Sequence, residues 1–225
     1  MKLLILPCLL FSLSFCLGQQ SLPNDWELKE LKGKVRRVIE NESYHNPAGS
    51  PLKKILNFDR DGFLKTVSEY NDYYVEDDSV SLSHILYYKN DSDRRYFSRY
   101  DLEKNDTVVT GFYQTVKKGE YLIKTKTSDG YSTTMNIFMT DKNITQHTYI
   151  VYDSSNIKLA DLTMSYEYKD DELFEIHIVE NVKKSNRILT VESIKDSVGN
   201  VINQIYFNED GKMYYELKRK IFYYD

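Results

Sequence analysis

One stretch of the chain carries oxygen ligands at the spacing of a calcium loop. The first, third, fifth and sixth positions of an EF-hand pattern are filled by Asn57, Asp59, Asp61 and Gly62. The pattern requires a glutamate at its twelfth position, where this chain has Ser68, and both flanks have the composition of strands. Asp-Gly between two strand-like runs is typical of a β-hairpin turn. We therefore expect a turn here rather than a metal site.

Other residues that could carry chemistry are dispersed along the sequence. None of the four histidines has metal-ligand spacing to another: His45, His84, His147 and His177. The sequence contains no G-x-S-x-G motif and no glycine-rich phosphate loop. It predicts no catalytic residue, no cofactor and no metal site, although a histidine pair that meets across strands stays open. The alternation around His177 places that residue on a solvated face.

Tyrosine is unusually frequent, with 20 residues, and several occur as adjacent pairs. An adjacent pair in a strand places one ring on each face. The candidate aromatic binding surface, for a sugar or a partner protein, consists of Tyr73, Tyr87, Tyr214 and Tyr224. Because aromatic cross-strand pairs also stabilise sheets, we favour a structural role for most of these rings.

The first 18 residues have the pattern of a signal peptide. Lys2 precedes an apolar run over residues 3–17, and Gly18 is a small residue at the expected cleavage point before Gln19. The alternative, a transmembrane anchor, needs about 20 apolar residues. Cys16 is a poor lipidation site because bulky Phe15 precedes it.

Cleavage after residue 18 removes both cysteines, so the mature chain is predicted to have neither a disulfide nor a thiolate metal site. The formal charge is −4, with acidic and basic residues mixed and no basic block, which argues against binding nucleic acid. We expect a periplasmic, outer-membrane-associated or secreted protein.

The rest of the chain predicts one antiparallel β domain over residues 19–225. Only SLPNDWELKELK, residues 21–32, favours a helix, which would be short, and an extended arm is the alternative. Alternating apolar residues then recur, as in Leu162, Met164 and Tyr166, separated by turn residues. A dozen or more strands without intervening helices predict a meander that curls into an open or barrel-like sheet, or splits into two layers.

Two segments repeat one motif. Phe58-x-x-Asp61-Gly62-x-Leu64 matches Phe207-x-x-Asp210-Gly211-x-Met213. This unit resembles the repeats of YD/RHS-like β-meander proteins, and residues 31–35 (LKGKV) are similar to the opening segment of exported proteins of this kind in Bacteroidetes. The resemblance implies fold and export, and it carries over no catalytic residue.

Three functions are compatible with these observations. The first is a non-enzymatic exported β protein that binds or scaffolds an envelope protein or a glycan. The second is a carrier whose curled sheet encloses an apolar ligand. The third is a hydrolase with its site on a sheet face. A filled interior would count against the carrier, and converging histidines and carboxylates would favour the hydrolase.

Overall fold

The computed structural model of the chain describes residues 24–45, 52–71, 81–91, 94–140 and 143–225. The predicted signal peptide, with both cysteines, lies outside these residues. So does Tyr73 of the predicted aromatic surface.

A single short helix, α1, is described before the first strand. It covers Asp25–Leu28, and its N-cap Asn24 accepts a hydrogen bond from the backbone N–H of Glu27 at 2.9 Å. The helix is shorter than the predicted one over residues 21–32 because Glu30 adopts a left-handed φ of 53°. The chain then continues as an arm, so both predicted alternatives, helix and arm, occur within one segment.

Fourteen strands follow within the described residues. In chain order, β1 to β14 are Val35–Tyr44, Leu52–Phe58, Leu64–Asn71, Ser81–Asp91, Arg94–Asp101, Asp106–Lys117, Glu120–Thr127, Ser132–Thr140, Asn143–Tyr152, Lys158–Lys169, Glu172–Glu180, Ser185–Lys195, Val201–Phe207 and Met213–Tyr223.

The strands form a closed antiparallel barrel. Each strand pairs with its neighbours in sequence, and β1 also pairs with β14, with Val38 opposite Ile221. Closure leaves no strand edge unpaired. The predicted all-β antiparallel meander is confirmed, and of the shapes left open by the sequence the chain adopts the barrel.

A repeated turn explains the repeated sequence motif. The Asp59 carboxylate accepts hydrogen bonds from the N–H groups of residues 61 and 63, and Asn208 makes the same two bonds to residues 210 and 212. Gly62 and Gly211 follow with φ values of 88° and 71°. The motif therefore encodes hairpin turns, in which the first side chain, Asp59 or Asn208, accepts the N–H groups of the turn.

The inner wall of the barrel carries most of the buried apolar side chains. Val38, Leu56 and Val67 lie opposite one another on β1, β2 and β3, with exposed fractions of 1%, 1% and 6%. Trp26 and Leu31 pack against this group at the end of the barrel where β1 begins, which we call the helix end. A second cluster on β11 and β12 comprises Ile176, Ile178, Leu189 and Val191.

Period-two alternation in the sequence predicts that Phe174 shares a face with Ile176 and Ile178, and this prediction is wrong. A bulge in the β10–β11 pairing places Leu173 opposite Tyr168, whereas Glu175 lies opposite Glu167. Leu173 therefore packs with the inner cluster, and Phe174 is 49% exposed. A single inserted residue reverses the facing of the strand beyond it.

Candidate functional site

Residues 24–34, which we call the plug segment, are anchored to β3 and β5 through α1. The Asp25 carboxylate accepts a hydrogen bond from the Leu64 N–H at 2.6 Å and pairs with the Arg95 guanidinium. Both charged side chains are almost completely buried, at 4% and 3% exposed. The Trp26 indole N–H donates to the Val35 carbonyl at 2.9 Å. These contacts fix one side of the plug segment at the helix end.

The plug segment also reaches strands on other parts of the barrel rim. The Glu30 carboxylate accepts hydrogen bonds from the Tyr168 hydroxyl at 2.9 Å and the Ile144 N–H at 3.3 Å, which belong to β10 and β9. The Lys32 backbone exchanges two hydrogen bonds with the Asn200 side chain, which is fully buried. Because β3 and β5 are four or more strands from β9 and β10 in the order of the barrel, the segment crosses the helix end.

A row of charged side chains crosses six strands of the inner wall. Each lies opposite the next in the strand register, and their signs alternate when His84 is counted as basic. This charge ladder, from β14 through β1 to β5, consists of Arg219, Glu40, Lys54, Glu69, His84 and Asp101.

Ion pairs neutralise most of the charge ladder. Arg219 Nε lies 3.0 Å from a Glu40 carboxylate oxygen, and Arg99 Nη2 lies 2.7 Å from Glu69. Burial raises the pKa of Glu40, but the positive charges of Lys29, Arg219 and Lys54 outweigh it and hold the pKa below its usual value. Part of the inner wall is therefore charged and ordered, even though its carboxylates are removed from bulk solvent.

Tyrosine rings line the same wall beside the ladder. The Tyr215 ring lies 4.9 Å from that of Tyr44 and 5.1 Å from that of Tyr206, between ring centres. Burial, followed by the nearby carboxylate charges, raises the pKa of Tyr215 well above its usual value. Burial raises the pKa of Tyr206 to about 12, and Glu30 of the plug segment contributes to that shift. These phenols stay neutral hydrogen-bonding groups at physiological pH.

His147 is a half-buried imidazole on the inner wall of β9. One ring nitrogen, Nδ1, lies 2.9 Å from the Tyr166 hydroxyl, and Nε2 is buried with no hydrogen-bond partner among the described residues. Burial lowers the pKa of His147 to about 4. The imidazole is therefore neutral at physiological pH.

Apart from the buried Ile137, most apolar side chains on the inner wall of β6 to β10 are only half-buried, although they face the barrel interior. Members of this apolar surface include Val109, Ile123, Met135, Tyr149, Val151, Leu162 and Met164. An ideal circular barrel of fourteen strands about 4.8 Å apart and tilted by about 40° has a radius of about 14 Å, whereas eight strands already give an interior that side chains just fill. These half-buried apolar side chains face the space inside the closed sheet, which we call the lumen.

The calcium-like residues take part in turn and sheet contacts. Asn57 accepts a hydrogen bond from Arg37 Nε at 2.8 Å and donates one to the Thr66 hydroxyl at 3.1 Å. Asp59 accepts the turn N–H groups, and Asp61 is exposed. These contacts agree with the turn interpretation, because the side-chain oxygens of Asn57 and Asp59 are directed to protein donors.

The described members of the predicted aromatic surface do not form one surface. Tyr87 lies on the outer wall of β4 and is 50% exposed. Tyr214 and Tyr224 lie at opposite ends of β14, and the Tyr224 hydroxyl donates to the Phe58 carbonyl at 2.7 Å. Tyr206 and Tyr215, whose rings pack together on the inner wall, are not members of the predicted surface.

The triad-like group that a hydrolase would require is incomplete. His84 Nδ1 lies 3.0 Å from the Ser83 hydroxyl, and His84 Nε2 lies 3.4 Å from Asp101. The Ser83 hydroxyl, however, donates its proton to the Glu69 carbonyl at 2.9 Å, so it does not present that proton to the imidazole. Asp101 accepts two N–H groups of the following turn. These residues act in local structure rather than as a nucleophile and its base.

A separate pocket of about 470 Å³ lies against β11, β12 and β13. Its lining includes Phe174, Ile194 and Ile205, and its acidic Glu172 is paired with Lys195 at 2.9 Å. Its lining also carries other charged and polar side chains, namely Lys169, Asp170, Glu192, Ser193 and Asn203.

Comparisons with known proteins give structural similarity alone. No protein-family model matches the chain, and no curated protein matches it. The chain is similar to a porin-like protein from Bacteroides vulgatus ATCC 8482, with 9% identity and a TM-score of 0.45 over 84% of this chain and 98% of that one. It is also similar to a porin-like protein from Bacteroides uniformis ATCC 8492, with 9% identity and a TM-score of 0.47 over 85% and 98%. The resemblance to YD/RHS-like repeats has no matching family model and stays a prediction. Among the described residues, no helix has the length and apolar character needed to cross a membrane.

Proposed function

We propose that this chain is a carrier that holds a small ligand in the lumen of its barrel. The observation that carries the proposal is the half-buried apolar wall of β6 to β10, which lies inside a barrel that the plug segment crosses at one end. Apolar surface left accessible within a fold is a common mark of a binding site. The carrier was the second of the three functions suggested by the sequence.

The chemistry of the lumen favours an amphipathic ligand over a wholly apolar one. Apolar side chains dominate the wall of β6 to β11, whereas the charge ladder occupies β14 and β1 to β5. Glu30 adds a carboxylate that accepts two hydrogen bonds and has no ion pair among the described residues. A ligand with an apolar body and a polar group satisfies both sides of such a lumen.

The outer wall favours an aqueous location for this carrier. Charged side chains occur in the middle of its strands, including Lys124 on β7 and Lys218 and Lys220 on β14, and all three are exposed. Barrels that span membranes instead present an apolar band about 25 Å tall to the lipid. Together with the signal-peptide pattern, this distribution supports an exported protein in the aqueous part of the envelope.

Fluorescent probes test the carrier proposal. The amphipathic probe 1-anilinonaphthalene-8-sulfonate should bind saturably to the folded protein, and N-phenyl-1-naphthylamine, which lacks the sulfonate, should bind more weakly. Ile123→Arg places a charge on the inner wall of β7 and should weaken binding by at least about ten-fold. Leu122→Arg is the matched control, because Leu122 is the preceding residue and faces outward.

Near-UV circular dichroism must show native packing in both variants, because this probe also binds partly folded states. Equal weakening by the two variants, or no saturable binding to the wild type, would contradict the carrier proposal.

A second candidate function is partner or glycan binding on the outer wall. Tyr87 and Tyr96, on neighbouring strands, are 50% and 40% exposed, and the Phe112 ring lies 6.1 Å from that of Tyr96. Exposed aromatic rings are typical of such recognition surfaces. A pull-down from the native envelope should lose its captured partner when Tyr87 and Tyr96 are both replaced by serine. Retention of the same partner by the double variant would exclude these rings as its contact.

A further inference from the structure

Two glutamates face each other on the outer wall, away from the lumen. Glu167 on β10 lies directly opposite Glu175 on β11, at the last regular pair before the bulge. Like charges directly opposite each other destabilise a sheet. Neither carboxylate forms an ion pair with lysine or arginine in the part of the chain that the structure describes.

His177 supplies the third member of this group. Its Nε2 atom lies 2.5 Å from a Glu175 oxygen and 3.2 Å from a Glu167 oxygen. This atom is buried and has no hydrogen bond of acceptable geometry among the described residues. The imidazole nitrogen and the two carboxylate oxygens all lie within 4.8 Å of one another.

We propose that Glu167, Glu175 and His177 bind a divalent transition-metal ion, with Zn²⁺ as the best match. An imidazole nitrogen and carboxylate oxygens are zinc ligands at about 2.0 to 2.2 Å, and the three donor atoms can reach one ion with small side-chain adjustments. Calcium and magnesium fit less well, because both prefer an all-oxygen environment.

The position of the group explains both its assembly and its access. The regular register up to the bulge places the two glutamates opposite each other, and His177 is two residues farther along β11 on the same face. The Glu167 side chain is 62% exposed and that of His177 is 38% exposed, so an ion can enter from solvent. Three protein ligands leave a fourth position for water.

Zinc titration of the EDTA-treated protein tests the proposal. Isothermal titration calorimetry should show one zinc ion per chain, and zinc should raise the melting temperature. His177→Ala and Glu175→Gln should each weaken binding by at least about ten-fold, since even residues that only support a metal ligand contribute ten- to hundred-fold. Glu192→Gln is the matched control, because Glu192 is an exposed carboxylate on the neighbouring β12.

Imidazole NMR separates coordination from a general charge effect. Zinc should shift the ring signals of His177 and leave those of His45, His84 and His147 in place. Unchanged His177 signals, zinc binding by His177→Ala at wild-type affinity, or no binding to the wild type would each overturn the proposal. The zinc ligands lie on the outer wall and the carrier proposal concerns the lumen. A protein that does not bind zinc can therefore still be a carrier, and a protein that does not bind the probes can still bind zinc.

Discussion

Replacement of Asp25 by alanine should release the plug segment from the barrel. The variant removes the acceptor of the Leu64 N–H and leaves the Arg95 guanidinium buried without its carboxylate partner. Breaking a buried ion pair by deleting one partner costs about 3 to 5 kcal/mol of unfolding free energy. For a domain of this size that loss corresponds to a fall in melting temperature of about 10 °C.

The chain contains a single tryptophan, Trp26, which lies in the plug segment and reports on it directly. In urea, the fluorescence of Trp26 should change before the far-UV circular dichroism of the barrel in Asp25→Ala, whereas the two transitions should coincide in the wild type. The free energy of unfolding comes from the circular dichroism transition by linear extrapolation.

Two further variants make the reasoning on Asp25 testable. Asp61→Ala removes an exposed carboxylate from the turn between β2 and β3, close to Leu64, and should change the free energy of unfolding by less than about 0.5 kcal/mol. Arg95→Met in the Asp25→Ala background should recover part of the loss, because it removes the unpaired buried charge. An Asp25→Ala protein as stable as Asp61→Ala, with unchanged Trp26 fluorescence, would refute the assigned role of the ion pair.

Three other predictions concern the turns and the inner wall. Gly62→Ala should lower the free energy of unfolding in urea by about 3 kcal/mol, and Gly211→Ala should lower it by about 1 kcal/mol. Both glycines have positive φ, but only a Cβ added at Gly62 would lie 2.5 Å from the Trp26 ring. Equal losses in the two variants would contradict this contact. The pKa of His147 in the folded barrel, about 4, lies below the ordinary value of 6.5, so the unfolded chain takes up the proton first as the pH falls. Stability relative to His147→Gln should therefore fall by about 3 kcal/mol between pH 6.5 and pH 4, and a constant difference would refute the buried neutral imidazole. Arg219→Met should lower the free energy of unfolding by about 3 kcal/mol, because it leaves the buried Glu40 carboxylate unpaired. Lys218→Met changes the adjacent, outward-facing residue and should lower it by less than about 0.5 kcal/mol. Similar losses in the two variants would show that the Arg219–Glu40 pair is not desolvated.

The local sequence was sufficient to predict the class of fold. Period-two alternation, as in Leu162, Met164 and Tyr166, follows from strand geometry alone, and Asp59 and Asn208 encode their turns through hydrogen bonds within five residues. These signals do not depend on distant parts of the chain. The same locality explains why the calcium-like pattern around Asp59 was recognisable as a turn.

Closure and the composition of the inner wall depended on tertiary structure. The pairing of β1 with β14 joins residues nearly 180 positions apart, and it brings Arg219 to Glu40. In the sequence Arg219 is the single polar interruption of an apolar alternation, so its buried position was not apparent. A charge is tolerated inside only where another strand supplies its partner, and that strand is identified by the closed topology.

The zinc site around His177 and the lumen also depend on tertiary contacts that the sequence alone does not reveal. The sequence alone predicted His177 on a solvated face, but the register of β10 against β11 placed two glutamates around it. The lumen required fourteen strands to close and residues 24–34 to cross the helix end. Alternation and turn chemistry are properties of neighbouring residues, so the sequence determined them. Cross-strand contacts and enclosed space are properties of the closed sheet, so only the tertiary structure decided which polar side chains meet.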